Sequence, residues 1–146
     1  MRGYFGVAIY RPKFEVNVGS LWRTAKILGA TFIITIEKRY RKQPSDTINA
    51  YKHIPLMHFE YFEDFANWKP QEATLVGCEL QENAIDLKHF HHPQQAIYLL
   101  GAEDDGLPNE VMNRCDCMVK LKGEYSLNVA VAGSIILYHR ILQLDK

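Results

Sequence analysis

Gln95-Ala96-Ile97-Tyr98-Leu99-Leu100-Gly101-Ala102-Glu103-Asp104-Asp105-Gly106-Leu107-Pro108 is an apolar strand candidate that runs into an acidic turn bracketed by two glycines and then into a proline. Glycine permits tight turns and close backbone approach, and proline suits the first turn of a helix, so the stretch reads as strand, loop, helix. The same order stands at the start of the chain. Tyr4 to Tyr10 is a short apolar run ended by Arg11 and Pro12. After a loop, Asn17 is placed to cap a helix whose Val18, Leu21, Trp22, Ala25 and Leu28 share an apolar stripe, with Gly29 where a helix often ends on a left-handed residue.

Further strands are expected at Thr31 to Ile36, Ile54 to Phe59, Ala73 to Cys78 and Cys117 to Leu121, with short helices near Phe62 to Ala66 and Pro108 to Arg114. A final helix is expected from about Leu127 to Leu142. Apolar strands alternating with helices define an α/β fold with a mostly parallel sheet flanked by helices, and its binding site belongs beyond the carboxyl ends of the strands. With 146 residues, 47% of them apolar, the chain suffices for one domain, read as 1–146, and shows no internal repeat or linker.

Composition narrows the function classes. Seventeen basic and seventeen acidic side chains cancel, so only local patches can argue for a polyanionic partner. No apolar run reaches membrane-spanning length and Met1 does not open a signal peptide, which predicts a cytoplasmic protein with no membrane association. Cys78, Cys115 and Cys117 are odd in number and lack paired CxxC spacing, so reduced thiols are expected, with neither a disulfide framework nor a zinc site. His89, His91 and His92 lack a nearby thiol or carboxylate cluster and adjoin Pro93, which reads as an exposed turn and not as a metal site.

Three segments look chemical. In the first, Asn17-Val18-Gly19-Ser20-Leu21-Trp22-Arg23, Gly19 and Arg23 share a helical face, leaving space beside a guanidinium that could hold a phosphate. The bland alternative is a capping asparagine and a solvated arginine. The second is Leu100 to Gly106, on whose backbone a cofactor could rest. It lacks the GxGxxG pattern, and Glu103, Asp104 and Asp105 would repel a pyrophosphate, which disfavours a dinucleotide. An acidic strand-to-helix turn is the plain alternative. In the third, Leu121 to Ser134, Ser126 can cap the last helix, while Ala130, Ala132, Gly133 and Ser134 allow close packing. A well-capped core helix is the reading that physics alone favours.

Taken in order, Asn17-x-Gly19-x-x-x-Arg23, Gly101-x-Glu103-x-x-Gly106-Leu107 and Ser126-Leu127-Asn128 with Ala132 resemble the three motifs of the SPOUT superfamily, specifically its SpoU or TrmH-type RNA ribose 2′-O-methyltransferases. The resemblance implies a minimal single-domain enzyme, a C-terminal trefoil knot, a homodimer packed through the first and last helices, and S-adenosylmethionine as cofactor. It implies cofactor contacts near Gly77 and Cys78, at Leu100, Gly101, Glu103 and Gly106, and at Leu121, Ser126 and Leu127. Arg23 becomes the main catalytic candidate, with Asn17, Glu103, Ser126 and Asn128 in supporting roles. An arginine titrates far above neutrality, so holding a phosphate and stabilising a developing alkoxide suits it better than acting as a base.

Lys38, Arg39, Arg41 and Lys42, interrupted by Tyr40, follow a strand end and, together with Arg23, are the candidate RNA contacts: cations for phosphates, an aromatic ring for stacking. The RNA expected is tRNA, with rRNA second. The rival reading is a non-catalytic RNA-binding protein that keeps the fold.

Overall fold

The computed structural model describes residues 3–39, 54–101, 106–123 and 128–145. Tyr40, Arg41, Lys42, Glu103, Ser126 and Leu127 lie outside them. Among the described residues the strands are β1 (Tyr4–Tyr10), β2 (Phe32–Ile36), β3 (Leu56–Phe59), β4 (Thr74–Cys78), β5 (Ile85–Asp86), β6 (Gln95–Gly101) and β7 (Cys117–Lys120). The helices are α1 (Glu15–Ile27), α2 (Phe62–Trp68), α3 (Asn109–Met112) and α4 (Val129–Leu144), with a 3-10 turn at Leu87–His89.

The strands form one sheet in the order β3-β2-β1-β6-β4-β7-β5, and every pairing is parallel. Such strands are buried on both faces, and the two-residue period of a strand sorts their side chains. Phe5, Val7 and Ile9 of β1 and Tyr98 and Leu100 of β6 enter one core layer with Val18, Leu21 and Trp22 of α1 and Ile136 and Leu137 of α4. Ala8, Tyr10, Ile97 and Leu99 enter the other, with Phe62 and Phe65 of α2 and Val111 of α3.

Position in the order fixes the site. From β1 the chain steps outward to β2 and β3, then crosses to β4, and the later strands β6 and β7 insert beside it. The carboxyl ends of β6, β4 and β7 therefore stand side by side, where open parallel sheets bind ligands.

Several expectations need correction. Asn17 does not cap α1: the helix begins at Glu15, its cap position is Phe14 with no side-chain cap bond, and Asn17 lies buried within the first turn. The last helix starts at Val129, two residues past the expected Leu127, and Asn128 is its cap, accepting hydrogen bonds from the amides of Ala130 (2.8 Å) and Val131 (3.3 Å). The cap expected at Ser126, which is outside the described residues, is Asn128. Strand β5 was not anticipated, since two residues carry no readable period. Gly29 does end α1 in the left-handed region, with φ +94°.

The histidine turn is half right. His89 and His91 are exposed, but His92 is 6% exposed, bonded to the Tyr98 hydroxyl (2.7 Å) and to His139 (2.8 Å). Arg140 completes this network, donating to Tyr98 Oη (3.0 Å) and to the carbonyls of Pro93 (2.6 Å) and Gln94 (2.7 Å). Burial chiefly, then the charges of His139 and Arg140, push the His92 pKa down to about 4.

Candidate functional site

The first and third segments meet. Asn128 Nδ2 donates to Asn17 Oδ1 at 3.0 Å across 111 residues of sequence. The same amide thus caps α4 through its oxygen and reaches α1 through its nitrogen, using both of its functions. One turn further on, Gly133 packs against Leu21: a Cβ there would lie 2.7 Å from Leu21 Cδ1 and 3.3 Å from Leu100 Cδ1. The small residue lets α1, α4 and the end of β6 approach closely.

The second segment folds back on itself. Gly101 ends β6, and a Cβ on it would press on the carbonyl carbon of Gly106 and come within 2.7 Å of the Leu107 nitrogen. Gly106 is left-handed, with φ +63°. The two glycines close the turn because one has no side chain and the other adopts a backbone that other residues seldom do.

Glu79, which the sequence reading passed over, is built into this corner. It follows Cys78, whose register partner is Leu100, so it stands beside Gly101. Its carboxylate accepts from the amide of Leu107 (2.8 Å) and from its neighbour Leu80 (3.2 Å), while its own amide donates to the Val119 carbonyl (3.1 Å). Nothing in the sequence marks it beyond a place directly after a strand.

Other predicted residues divide. Gly77 and Cys78 lie within β4 and not in a loop. The Gly77 Cα is covered by Met118 and by Cys115, whose Sγ would stand 2.8 Å from an added Cβ, so only the end of that strand faces the turn. Burial raises the Cys78 thiol well above its ordinary range and takes Cys115 to about 12, so both stay protonated at neutral pH. Leu100 is buried at the end of β6, and Leu121 follows β7 half-buried. Among the described residues no group of three or more His, Cys, Asp or Glu could hold a metal ion.

Arg23 is not drawn into this corner. It is exposed on the outer face of α1, at helical spacing from exposed Val16, Ser20 and Ile27, and makes no ion pair with a described residue.

Residues 4–138 match the SpoU rRNA Methylase family. The chain belongs to that family. It is 25% identical over 147 residues, covering 94% of this chain and 91% of the relative, to a tRNA (cytidine(34)-2′-O)-methyltransferase of Ancylobacter novellus. It is 24% identical over 131 residues, covering 84% of this chain, to the mouse tRNA (guanosine(18)-2′-O)-methyltransferase TARBP1. An AdoMet-bound rRNA methyltransferase structure from Sinorhizobium meliloti superposes with a TM-score of 0.85 at 25% identity over 99% of this chain. The chain spans only 8% of the mouse protein and 58% of the S. meliloti chain. The parallel sheet and its flanking helices are thus those of SpoU methyltransferase structures.

The basic segment of this SpoU chain is partly neutralised. Arg39 pairs with Glu60 at 3.0 Å, and Lys38 donates to the Lys13 carbonyl at 3.1 Å, which laces the loops after β1 and β2 together. Arg11 and Glu37, left-handed residues just past β1 and β2, pair at 3.5 Å, and Tyr10 donates to Glu37 at 2.7 Å. Buried His58 accepts or donates at Nδ1 with Thr35. Its Nε2 has no hydrogen-bond partner among the described residues although Glu60 is 3.3 Å away, a close charge without bond geometry. Burial first, then Arg39, lowers its pKa.

Proposed function

We propose that this chain is an enzyme that transfers a methyl group from S-adenosylmethionine to a ribose 2′-hydroxyl of RNA, with tRNA as the substrate. The observation that carries the reading is the Asn17–Asn128 hydrogen bond, which joins the first and third motif segments beside the carboxyl end of β6. The Ancylobacter relative, named for 2′-O-methylation of tRNA and matched over nearly its whole length, supports the choice of acceptor.

The residues fit the cofactor by their chemistry. At positions 77–79, 100, 101, 106 and 107 there is no lysine or arginine, so the ends of β4 and β6 and the Gly106–Leu107 peptide offer backbone groups suited to an adenosyl and a methionyl moiety. Bound there, S-adenosylmethionine supplies a methyl group already activated by its sulfonium. Leu100, Gly101, Gly106 and Leu121 are the assigned backbone contacts with Gly77 and Cys78 behind them, and Glu103, Ser126 and Leu127 complete the set. The protein must then hold the ribose oxygen in line and stabilise its negative charge as the hydroxyl proton leaves. Arg23 carries that task, with the adjacent phosphate as its anchor, while Asn17 and Asn128 set the neighbouring helix ends. Lys38 and Arg39, with Arg41 and Lys42, extend the RNA contact.

The functional unit in this reading is a homodimer. Val131, Ile135, Tyr138 and Leu142 form an exposed apolar stripe along α4, and Phe14, Val16 and Ile27 add to it from α1. A stripe of that extent on adjoining helices suits a self-complementary interface. Arg23 shares this face, so a second copy determines what its guanidinium meets. The reading extends to one domain over 1–146, the knotted C-terminus and a cytoplasmic location with reduced thiols. Among the described residues no helix is long and apolar enough to cross a membrane.

The test is a calorimetric titration with S-adenosylmethionine followed by methyl transfer to bulk tRNA. Saturable binding near one site per chain, and transfer lowered at least ~100-fold by Arg23→Ala with folding unchanged, is the expected outcome. A folded protein that binds tRNA but takes up no cofactor, with or without the RNA, would instead establish the non-catalytic RNA-binding role.

A further inference from the structure

We infer that Glu79 is the positioning residue of the cofactor pocket, the group that fixes the Gly106–Leu107 peptide against the ends of β4 and β7. The inference rests on the cofactor site proposed above. It is carried by the way one residue joins three strand ends. Glu79 follows β4, its amide donates to Val119 of β7 at 3.1 Å, and its carboxylate takes the Leu107 amide at 2.8 Å, beyond the end of β6. These are the strand ends from which the pocket is assembled.

The contact requires an accepting side chain of this length, and the carboxylate uses both of its oxygens. Oε1 accepts from Leu80 and Oε2 from Leu107, so the two oxygens serve two amides. A Cβ on Gly106 would lie 2.5 Å from Oε2, so Gly106 admits the carboxylate as well as making the left-handed turn. Each fixed amide orients its own peptide plane, and in a pocket lined by backbone groups such planes are themselves the recognition elements. Glutamine keeps one accepting oxygen and can hold Leu107 while releasing Leu80. Aspartate is one methylene short, and alanine leaves the Leu107 amide without its partner.

The experiment compares Glu79→Ala, Glu79→Gln and Glu79→Asp with the unaltered protein by three readouts: the dissociation constant for S-adenosylmethionine, the KM for tRNA, and hydrogen exchange at the Leu107 amide. Losing a hydrogen bond to a charged acceptor is expected to weaken cofactor binding about tenfold in Glu79→Ala and Glu79→Asp, with Glu79→Gln within roughly threefold. The tRNA KM should be unmoved, and Leu107 should lose protection in step with the cofactor affinity. Gly106→Ala, which displaces the same carboxylate, should reproduce the loss and add little to it in a double variant. A folded Glu79→Ala protein with undiminished cofactor affinity would overturn the inference while leaving the pocket intact. Failure of the unaltered protein to bind cofactor would remove the pocket and with it this role, even if the Leu107 exchange still depended on Glu79.

Discussion

The two ends of α4 use polar side chains in opposite ways. At its start a single amide, Asn128, caps the helix and reaches Asn17, and the neighbouring turn is held by Glu79. At its far end Arg140 is 5% exposed, bonded to three oxygens and stacked over Phe5 at 4.8 Å, beside the His92–His139 pair. Burial and hydrogen bonding alone do not mark a functional site. The saturated end, at the amino edge of the sheet, is an anchor. The end at the carboxyl edge stands with the ends of β4, β6 and β7, where open parallel sheets bind ligands. Arg140 and Arg23 make the same contrast between a guanidinium that is committed and one that is available.

The anchor should break hardest. Arg140→Ala strands the Pro93 and Gln94 carbonyls, leaves the Tyr98 hydroxyl with His92 alone, and is expected to cost about 3 kcal/mol or more in denaturant unfolding, with activity per folded molecule retained. If activity per folded molecule falls as well, the two ends are coupled and the contrast fails. Asn128→Ala is smaller: loss of a helix cap costs roughly 1–2 kcal/mol, and a cycle with Asn17→Ala should return about 1 kcal/mol of coupling between them. A cycle with no coupling would reduce that bond to an incidental contact.

The gentlest test is pH. His92 titrates lower in the folded protein, about 4, than in the unfolded chain, about 6.5, so between these values the unfolded state binds the extra proton. Its contribution is fully present above the unfolded pKa and is lost as pH falls toward 4. The slope is at most ~1.4 kcal/mol per pH unit. His92→Gln should flatten that slope, as read from urea midpoints at several pH values, and an unchanged slope would put the acid sensitivity elsewhere.

Much of this was legible from local chemistry. The runs at 4–10, 32–36 and 95–101 are apolar apart from Thr35 and Gln95 because both faces of the sheet are covered; Gly29 marks a left-handed helix end, and Gly101 and Gly106 stand where a side chain would collide. Asn17 was misread because an asparagine before an apolar stripe looks like a cap, while its partner stands 111 residues away. His92 was misread because its ring is satisfied by Tyr98 and His139, which local spacing cannot reveal. Glu79 carries no sequence signal, since a glutamate after a strand is common and only the strand order brings Leu107 to it.

By itself the sequence determined the α/β alternation, the parallel character of the sheet and the family motifs, because periodicity, β-branching and turn residues act over a few positions. Only the tertiary structure decided that β6 and β7 insert beside β4, that Asn17 meets Asn128, that Glu79 holds the turn, and that Arg23 faces outward. Those facts depend on which distant surfaces pack together, and packing is set by the complementarity of the whole core and not by any one segment.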